Sequence, residues 1–273
     1  MNTRELGTRF ITGIFIVGIT LAAIILSPYS YVAWLALIGL FATREYLSLE
    51  WKENVSIWNT FFPLSIAVLI LVAGISIIQF SFELIILAVI GCIIPFLMIF
   101  KIVGNTTPQE IVTKARTMMS AFTYIAIPLL SGCLILINDY EYRYILIPVI
   151  LIWVNDVGAY LVGSKWGNKK IAPSISPGKS VEGTIGGTVL TILAAIVLWR
   201  IWHNLSMNYI LMLGLTTSVF ALAGDLWESS IKRNAGVKDS GSILPGHGGI
   251  LDRYDSLLFV LPIAALAYCI FVL

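Results

Sequence analysis

Apolar runs of about twenty residues, divided by short polar breaks, fill most of this chain. A helix needs roughly 20 mostly apolar residues to cross a bilayer, because its backbone polar groups must be satisfied internally. Measured against that length, the pattern predicts nine membrane-crossing helices, at about 9–27, 29–48, 57–78, 81–100, 117–137, 144–164, 184–202, 207–228 and 256–273. Arg44 and Glu45 fall in the last turns of the second run. The first follows a short basic start, Arg4 and Arg9, but its apolar stretch from Phe10 to Leu26 exceeds a signal-peptide core of about 7–15 residues. It reads as a span.

The breaks differ in kind. Those at "SPYS", "QFS", "NDYEYR" and "HNLSM" are short. Segments 155–187 and 225–256 are long and mix charge with glycine and proline. If nine spans alternate from a cytosolic N-terminus, fifteen of the seventeen basic residues face the cytosol, leaving only Arg143 and Arg200 outside. That is the bias expected of cytoplasmic loops. The expected organisation is a membrane-spanning half, 1–137, and a catalytic half, 138–273, whose polar site faces the cytosol. No internal repeat of the transporter kind stands out.

Composition fixes the class. The chain is 58% hydrophobic and 12% charged, where soluble domains carry about 25% charged residues. A soluble fold could not hide so much apolar surface. The expected fold is all-α, a polytopic integral membrane protein of about nine transmembrane helices with a cytosolic N-terminus. A net charge of +2 gives no reason to expect nucleic acid. Cys92, Cys133 and Cys269 lie in apolar runs without metal-like spacing and read as small buried hydrophobes.

The ionisable residues gather in two places. In "FALAGDLWESSIKR", Asp225, Glu228, Ser229 and Lys232 share one helical face. Asp225 follows a long apolar run, where an ionised carboxylate costs roughly 2.5–3.5 kcal/mol and calls for a partner or a wet cavity. Pairing with Lys232 is the simpler alternative. In "KDSGSILPGHGGILDRYDS", Gly246, Gly248 and Gly249 bracket His247 after Pro245. Such a cluster makes either an ordinary turn or a nest of backbone N–H groups for phosphate. Lys232, Arg233 and Lys238 precede it, and Asp252 and Asp255 follow, three apart. Carboxylates beside a phosphate nest repel the ligand unless a cation lies between them, and Mg2+ is the natural choice. Asp225 and Asp252 are placed to hold it. His247, accessible among glycines, is suited to donate to a phosphate or carry a proton.

Upstream, Asn155 and Asp156 interrupt the sixth run in "WVNDVGAYLVGSKWGNKKIAPSISPGKSVEGTIGG". They mark a polar interior or bonds to a neighbouring helix. Lys165, Lys169, Lys170 and Lys179 then cross the membrane surface, where anionic lipid heads attract each by about 1 kcal/mol. Pro177 and Gly178 turn the chain, Lys179 offers a point charge, and Glu182 and Gly183 open the next helix.

The stretch "SSIKRNAGVKDSGSILPGHGGILDRYD" resembles the signature of the phosphatidate cytidylyltransferases, or CDP-diacylglycerol synthases. That signature reads S-x-x-K-R, four residues, K-D, then P-x-H-G-G-x-x-D-R-x-D. Ser229, Lys232, Arg233, Lys238, Asp239, Pro245, His247, Gly248, Gly249, Asp252, Arg253 and Asp255 fill it without a gap. "NDVGAYLVG" and "SPGKSVEG" also resemble family segments, though the family usually carries a further lysine where Gly178 stands. The resemblance covers roughly 155–256. It implies a Mg2+-dependent membrane enzyme joining CTP to phosphatidic acid, with release of pyrophosphate.

In that reading Asp225 and Asp252 are the metal ligands, and a second, monovalent cation such as K+ accompanies them in some members. Lys232, Arg233, Lys238 and Arg253 neutralise phosphates, His247 assists the departing pyrophosphate, and Asp239 and Asp255 complete the catalytic set. Asp156, Lys179, Glu182, Ser229, Gly248 and Gly249 are expected at the substrates. The resemblance further implies membrane lipids as surroundings, a homodimer, and a bacterial cytoplasmic membrane with the site facing the cytosol. A CTP-dependent enzyme acting on another lipid or lipid phosphate shares these features. A transporter is the rival from another class, but it predicts paired repeats and broken helices in both halves.

Overall fold

The computed structural model describes residues 3–51, 58–81, 83, 107–138 and 140–273. The helices are α1 (Thr3–Leu26), α2 (Pro28–Trp51), α3 (Trp58–Gln79), α4 (Pro108–Leu136), α5 (Tyr142–Trp166), α6 (Val181–Ile201), α7 (Met207–Ala235) and α8 (Leu251–Phe271). Among the described residues, seven of these are long and apolar enough to cross a membrane, and Phe10–Leu26 of α1 forms a shorter apolar one. The chain is an all-α polytopic membrane protein. Of the predicted run 81–100 only Ser81 and Glu83 are described, and Lys52 and Lys101 lie outside the described residues.

The chain divides into two compact units. Met1–Tyr140 with Asp239–Arg253 forms the first, and Glu141–Lys238 with Tyr254–Leu273 the second. The glycine-rich stretch 239–253, expected with the C-terminal half, thus makes its contacts with the N-terminal helices. In the first unit Tyr31, Leu35, Phe62, Ile66, Ile70, Met118 and Ile125 are buried. Helix α4 starts from a capping box: Thr107 accepts from the Glu110 amide, and the Glu110 side chain reaches back to the Thr107 amide. Its middle, Phe122–Ala126, widens into a π-turn. Pro128 follows with no N–H to donate, and a wider turn is one way a helix absorbs that loss.

In the second unit α5, α6 and α7 pack side by side. Tyr144 meets Tyr209 and Tyr268 edge-on, with ring centroids 5.1 and 5.2 Å away, and the buried Tyr209 hydroxyl donates to the Tyr144 carbonyl at 2.6 Å. The Asp156 Cα lies twelve residues along α5 from Tyr144, about 18 Å at helical rise. This aromatic plug therefore stabilises the unit away from its charged end.

Two elements depart from the expected pattern. The polar stretch after α5 folds into a short antiparallel hairpin, β1 (Lys170–Ala172) and β2 (Ser176–Ser180), pairing Lys170 with Ser180 and Ala172 with Ser176. Pro173 occupies the second position of its turn, closed by the Ile175 amide on the Ala172 carbonyl at 3.1 Å. Helix α7 also runs past its apolar stretch through Lys232 and Arg233, until Gly236 adopts φ +77° and caps it.

Candidate active site

The second unit gathers carboxylates around one ammonium. Ser180 at the end of β2 caps α6, accepting from the Gly183 amide at 3.2 Å, and so sets the preceding residue, Lys179. The Lys179 ammonium is ion-paired with the Asp225 carboxylate of α7. Burial works against its charge, but Asp225, Asp156 and Asp255 outweigh that effect and hold Lys179 above the ordinary lysine value. Ser229, one turn beyond Asp225, donates to its Oδ1 at 3.3 Å.

Asp255 comes near because α7 and α8 touch at Gly224. A Cβ on Gly224 would lie 3.1 Å from the Asp255 carbonyl carbon and 3.1 Å from the Ser256 Cα. The Ser256 amide donates to Asp255 Oδ1 at 2.7 Å, and the Ser256 hydroxyl donates to the Ala221 carbonyl at 3.2 Å. Helix contact and loop capping together bring three acids and a lysine from four separate segments near one another.

The remaining candidates of this unit are distributed around that group. Lys232 pairs at 2.6 Å with Glu228, which is 1% exposed. The expected face Asp225–Glu228–Ser229–Lys232 therefore forms, but Lys179 rather than Lys232 neutralises Asp225. Arg233 donates from Nε to the Ile175 carbonyl at 3.2 Å and from Nη1 to the Val237 carbonyl at 2.9 Å, bracing the hairpin. Glu182 accepts from the amides of Asn168 and Lys169, at 3.1 and 3.2 Å, and anchors the chain entering β1. Asp156 and Lys238 are exposed.

In the first unit, stretch 239–253 folds around Asp252. Leu244, Pro245, Gly246 and His247 form a turn closed by the His247 amide on the Leu244 carbonyl at 2.9 Å. Pro245 stands at the second position and Gly246, φ +75°, at the third, the type II arrangement. Gly248 has φ +81°, and a Cβ there would lie 3.3 Å from Asp252 Cγ. Asp252 Oδ2 accepts three donors: the Ser240 amide at 2.9 Å, the Ser240 hydroxyl at 3.0 Å and the Gly249 amide at 2.7 Å. Arg253 donates from Nε to the His247 carbonyl at 3.1 Å. His247 is half-buried, while Asp239 and Arg253 are exposed.

A residue not among the expected candidates joins this group. Glu45 of α2 is 5% exposed and accepts from the amides of Ile250 at 2.9 Å and Leu251 at 2.8 Å, and from the Ser240 hydroxyl at 3.0 Å. Its signal in the sequence was an acid inside an otherwise apolar run.

Among the described residues, no three His, Cys, Asp or Glu side chains form a ready metal cage. Mg2+ does not need one: it takes one or two carboxylates and fills its remaining positions with water and phosphate. The donor chemistry fits, since the carboxylates around Lys179 are hard oxygen ligands that already hold a cation.

These features define a membrane protein with charged chemistry built among its last helices. The chain belongs to the cytidylyltransferase family, whose model matches residues 7–271. It is similar to the phosphatidate cytidylyltransferase of Staphylococcus haemolyticus, 48% identical over 122 residues that cover 44% of this chain and 47% of that protein. It is also 48% identical to that of Bacillus subtilis strain 168 over 128 residues, 46% and 47% of the two chains. For that of Staphylococcus aureus strain COL the figures are 48% over 123 residues, 44% and 47%. The matched part spans about half the length of these relatives.

Proposed function

We propose that this protein transfers the cytidylyl group of CTP to phosphatidic acid, giving CDP-diacylglycerol and pyrophosphate, at the cytosolic face of the membrane. The observation that carries the reading is the Lys179 ammonium among Asp225, Asp156 and Asp255. It is a cation-holding carboxylate group between helices, in a chain of the cytidylyltransferase family.

A phosphate monoester with a second pKa near ~6 is largely dianionic at neutral pH, so the nucleophile needs no strong base. An oxygen of the phosphatidate phosphate attacks the α-phosphorus of CTP. The bond from that phosphorus to the bridging oxygen breaks, and pyrophosphate leaves with the electron pair. The main task is to bring two anions together and stabilise the charge moving onto pyrophosphate. Mg2+ held by Asp225 and Asp252 would supply part of that neutralisation. Lys179, Arg233, Lys238 and Arg253 supply the rest as fixed or exposed cations. His247, presented on its proline–glycine turn, donates to the departing pyrophosphate. Lys232 acts indirectly, by keeping Glu228 paired.

The test uses purified protein in detergent with labelled CTP, Mg2+ and phosphatidic acid, alongside other lipid phosphates as acceptors. Labelled CDP-lipid should form with phosphatidic acid and disappear in D225N and D252N. Absence of product from the unaltered protein, or a cytidylylated protein trapped on the way, contradicts the reading.

A further inference from the structure

We propose that Glu45 is a positioning residue, holding Asp252 and the glycine-rich stretch in the conformation that binds metal. The inference rests on Asp252 being a metal ligand, as in the function proposed above. Everything that supports the Glu45 arrangement lies within the first unit.

The N-terminus of α8 explains why an acid is needed. The first amides of a helix have no partner inside it. The residue just before α8 is Ile250, whose side chain has no acceptor with which to cap. Glu45 supplies one from α2: Oε1 takes the Ile250 amide and Oε2 the Leu251 amide. A carboxylate suits the spot electrostatically, since helix N-termini favour negative charge. Being 5% exposed, it has little water to fall back on, so these donors also satisfy the acid.

The second link runs through Ser240. Its hydroxyl lies 3.0 Å from Glu45 Oε2 and 3.0 Å from Asp252 Oδ2. One hydroxyl proton serves one acceptor at a time, and backbone amides satisfy whichever carboxylate is left. Glu45 thus fixes Ser240 and the start of α8, and these two fix Asp252. The fit is close: a Cβ on Gly241 would lie 2.6 Å from Glu45 Oε1. Helix α1 closes the same stretch from another side. Thr12 Oγ1 donates to the Pro245 carbonyl at 3.1 Å, and a Cβ on Gly13 would lie 3.6 Å from His247 Nε2. The N-terminal helices, expected only to span the membrane, thereby act as the mount for the glycine-rich stretch.

The experiment compares the full-length protein with E45Q, E45D and E50Q, the last a like change at an exposed position of α2. Mn2+ affinity in the presence of CTP is read by electron paramagnetic resonance, and amide exchange of residues 239–253 by mass spectrometry. Partners behind a metal ligand typically alter metal affinity about 10–100-fold. E45Q turns one of the two acceptor oxygens into an NH2 that faces a backbone amide donor and removes the negative charge, so it should weaken Mn2+ by that factor and speed exchange at 240–251. E45D, keeping the charge, should recover part of both, and E50Q should match the unaltered protein. Faster exchange with unchanged Mn2+ affinity makes Glu45 merely structural and overturns the proposal, as does unchanged exchange. If E45Q does not fold, S240A must weaken Mn2+ while leaving both acids in place, and unaltered affinity there overturns it too. If the unaltered protein binds no Mn2+, the metal reading of Asp252 fails instead, and the exchange data alone decide whether Glu45 pins the stretch.

Discussion

Lys179 and Asp225 form an ion pair that ties the end of a surface hairpin to a transmembrane helix. Burial alone would favour the neutral amine, yet Asp225, Asp156 and Asp255 keep the ammonium charged beyond the ordinary lysine range.

The pair should show as coupling. Thermal or denaturant stability of K179M, D225N and the double variant should be non-additive by about 1 kcal/mol or more, as for residues in direct contact. The lysine value is raised on folding, so its contribution is complete below the ordinary value near ~10.4 and fades only as pH climbs past the raised one. K179M should therefore be the less stable protein at every pH from 6 to 9. A K179M protein as stable as the unaltered one across that range would contradict the assigned charge state.

Two glycines should behave oppositely. Gly248 has φ +81° and faces the Asp252 carboxyl, whereas a Cβ on Gly178 meets nothing within 4 Å. G248A should cost about 1–3 kcal/mol from the strained backbone alone and abolish transfer by displacing Asp252. G178K, which restores the lysine usual in the family, should fold like the unaltered protein and bind CTP at least as tightly. Stability curves with CTP titrations check both.

Glu141 gives a pH signature outside the spans. Its carboxyl caps α5 and pairs with Arg143, Oε1 accepting from Nε at 2.6 Å, and the Arg143 bond is the main cause of its lowered value. A carboxyl lowered on folding contributes stability above its unfolded value near ~4.3 and loses it as pH falls through the folded value. E141Q keeps an oxygen for the cap but loses the charged pair with Arg143, so it should lie below the unaltered protein at pH 7 by up to about 1 kcal/mol, as for a largely exposed ion pair. The two should converge as pH drops below 4. Melting curves at pH 7 and in acid test this.

The helices were legible because a bilayer demands long apolar runs, and α2, α3, α5 and α6 follow the expected runs closely, while α7 outruns its own and α8 starts early. The motif residues were legible because their types and spacing are so specific. Which charges pair was less so: Lys232 is the helical neighbour of Asp225, but Lys179 reaches it from a hairpin whose strands are too short to announce themselves by alternation. Glu45 was hidden for a different reason. Two of its three partners are backbone amides, which every residue but proline carries, and the third is a serine hydroxyl, so no complementary charge in the sequence points to it. The early start of α8 at Leu251 likewise depends on that distant acid.

The most direct test is Mn2+ binding in the presence of CTP, measured for the unaltered protein, D225N and D252N. If both acids hold the cation that meets the nucleotide, each substitution alone should weaken Mn2+ at least tenfold, and the double variant should add little further. Mn2+ bound as tightly by either single variant as by the unaltered protein would show that the two acids do not share a cation.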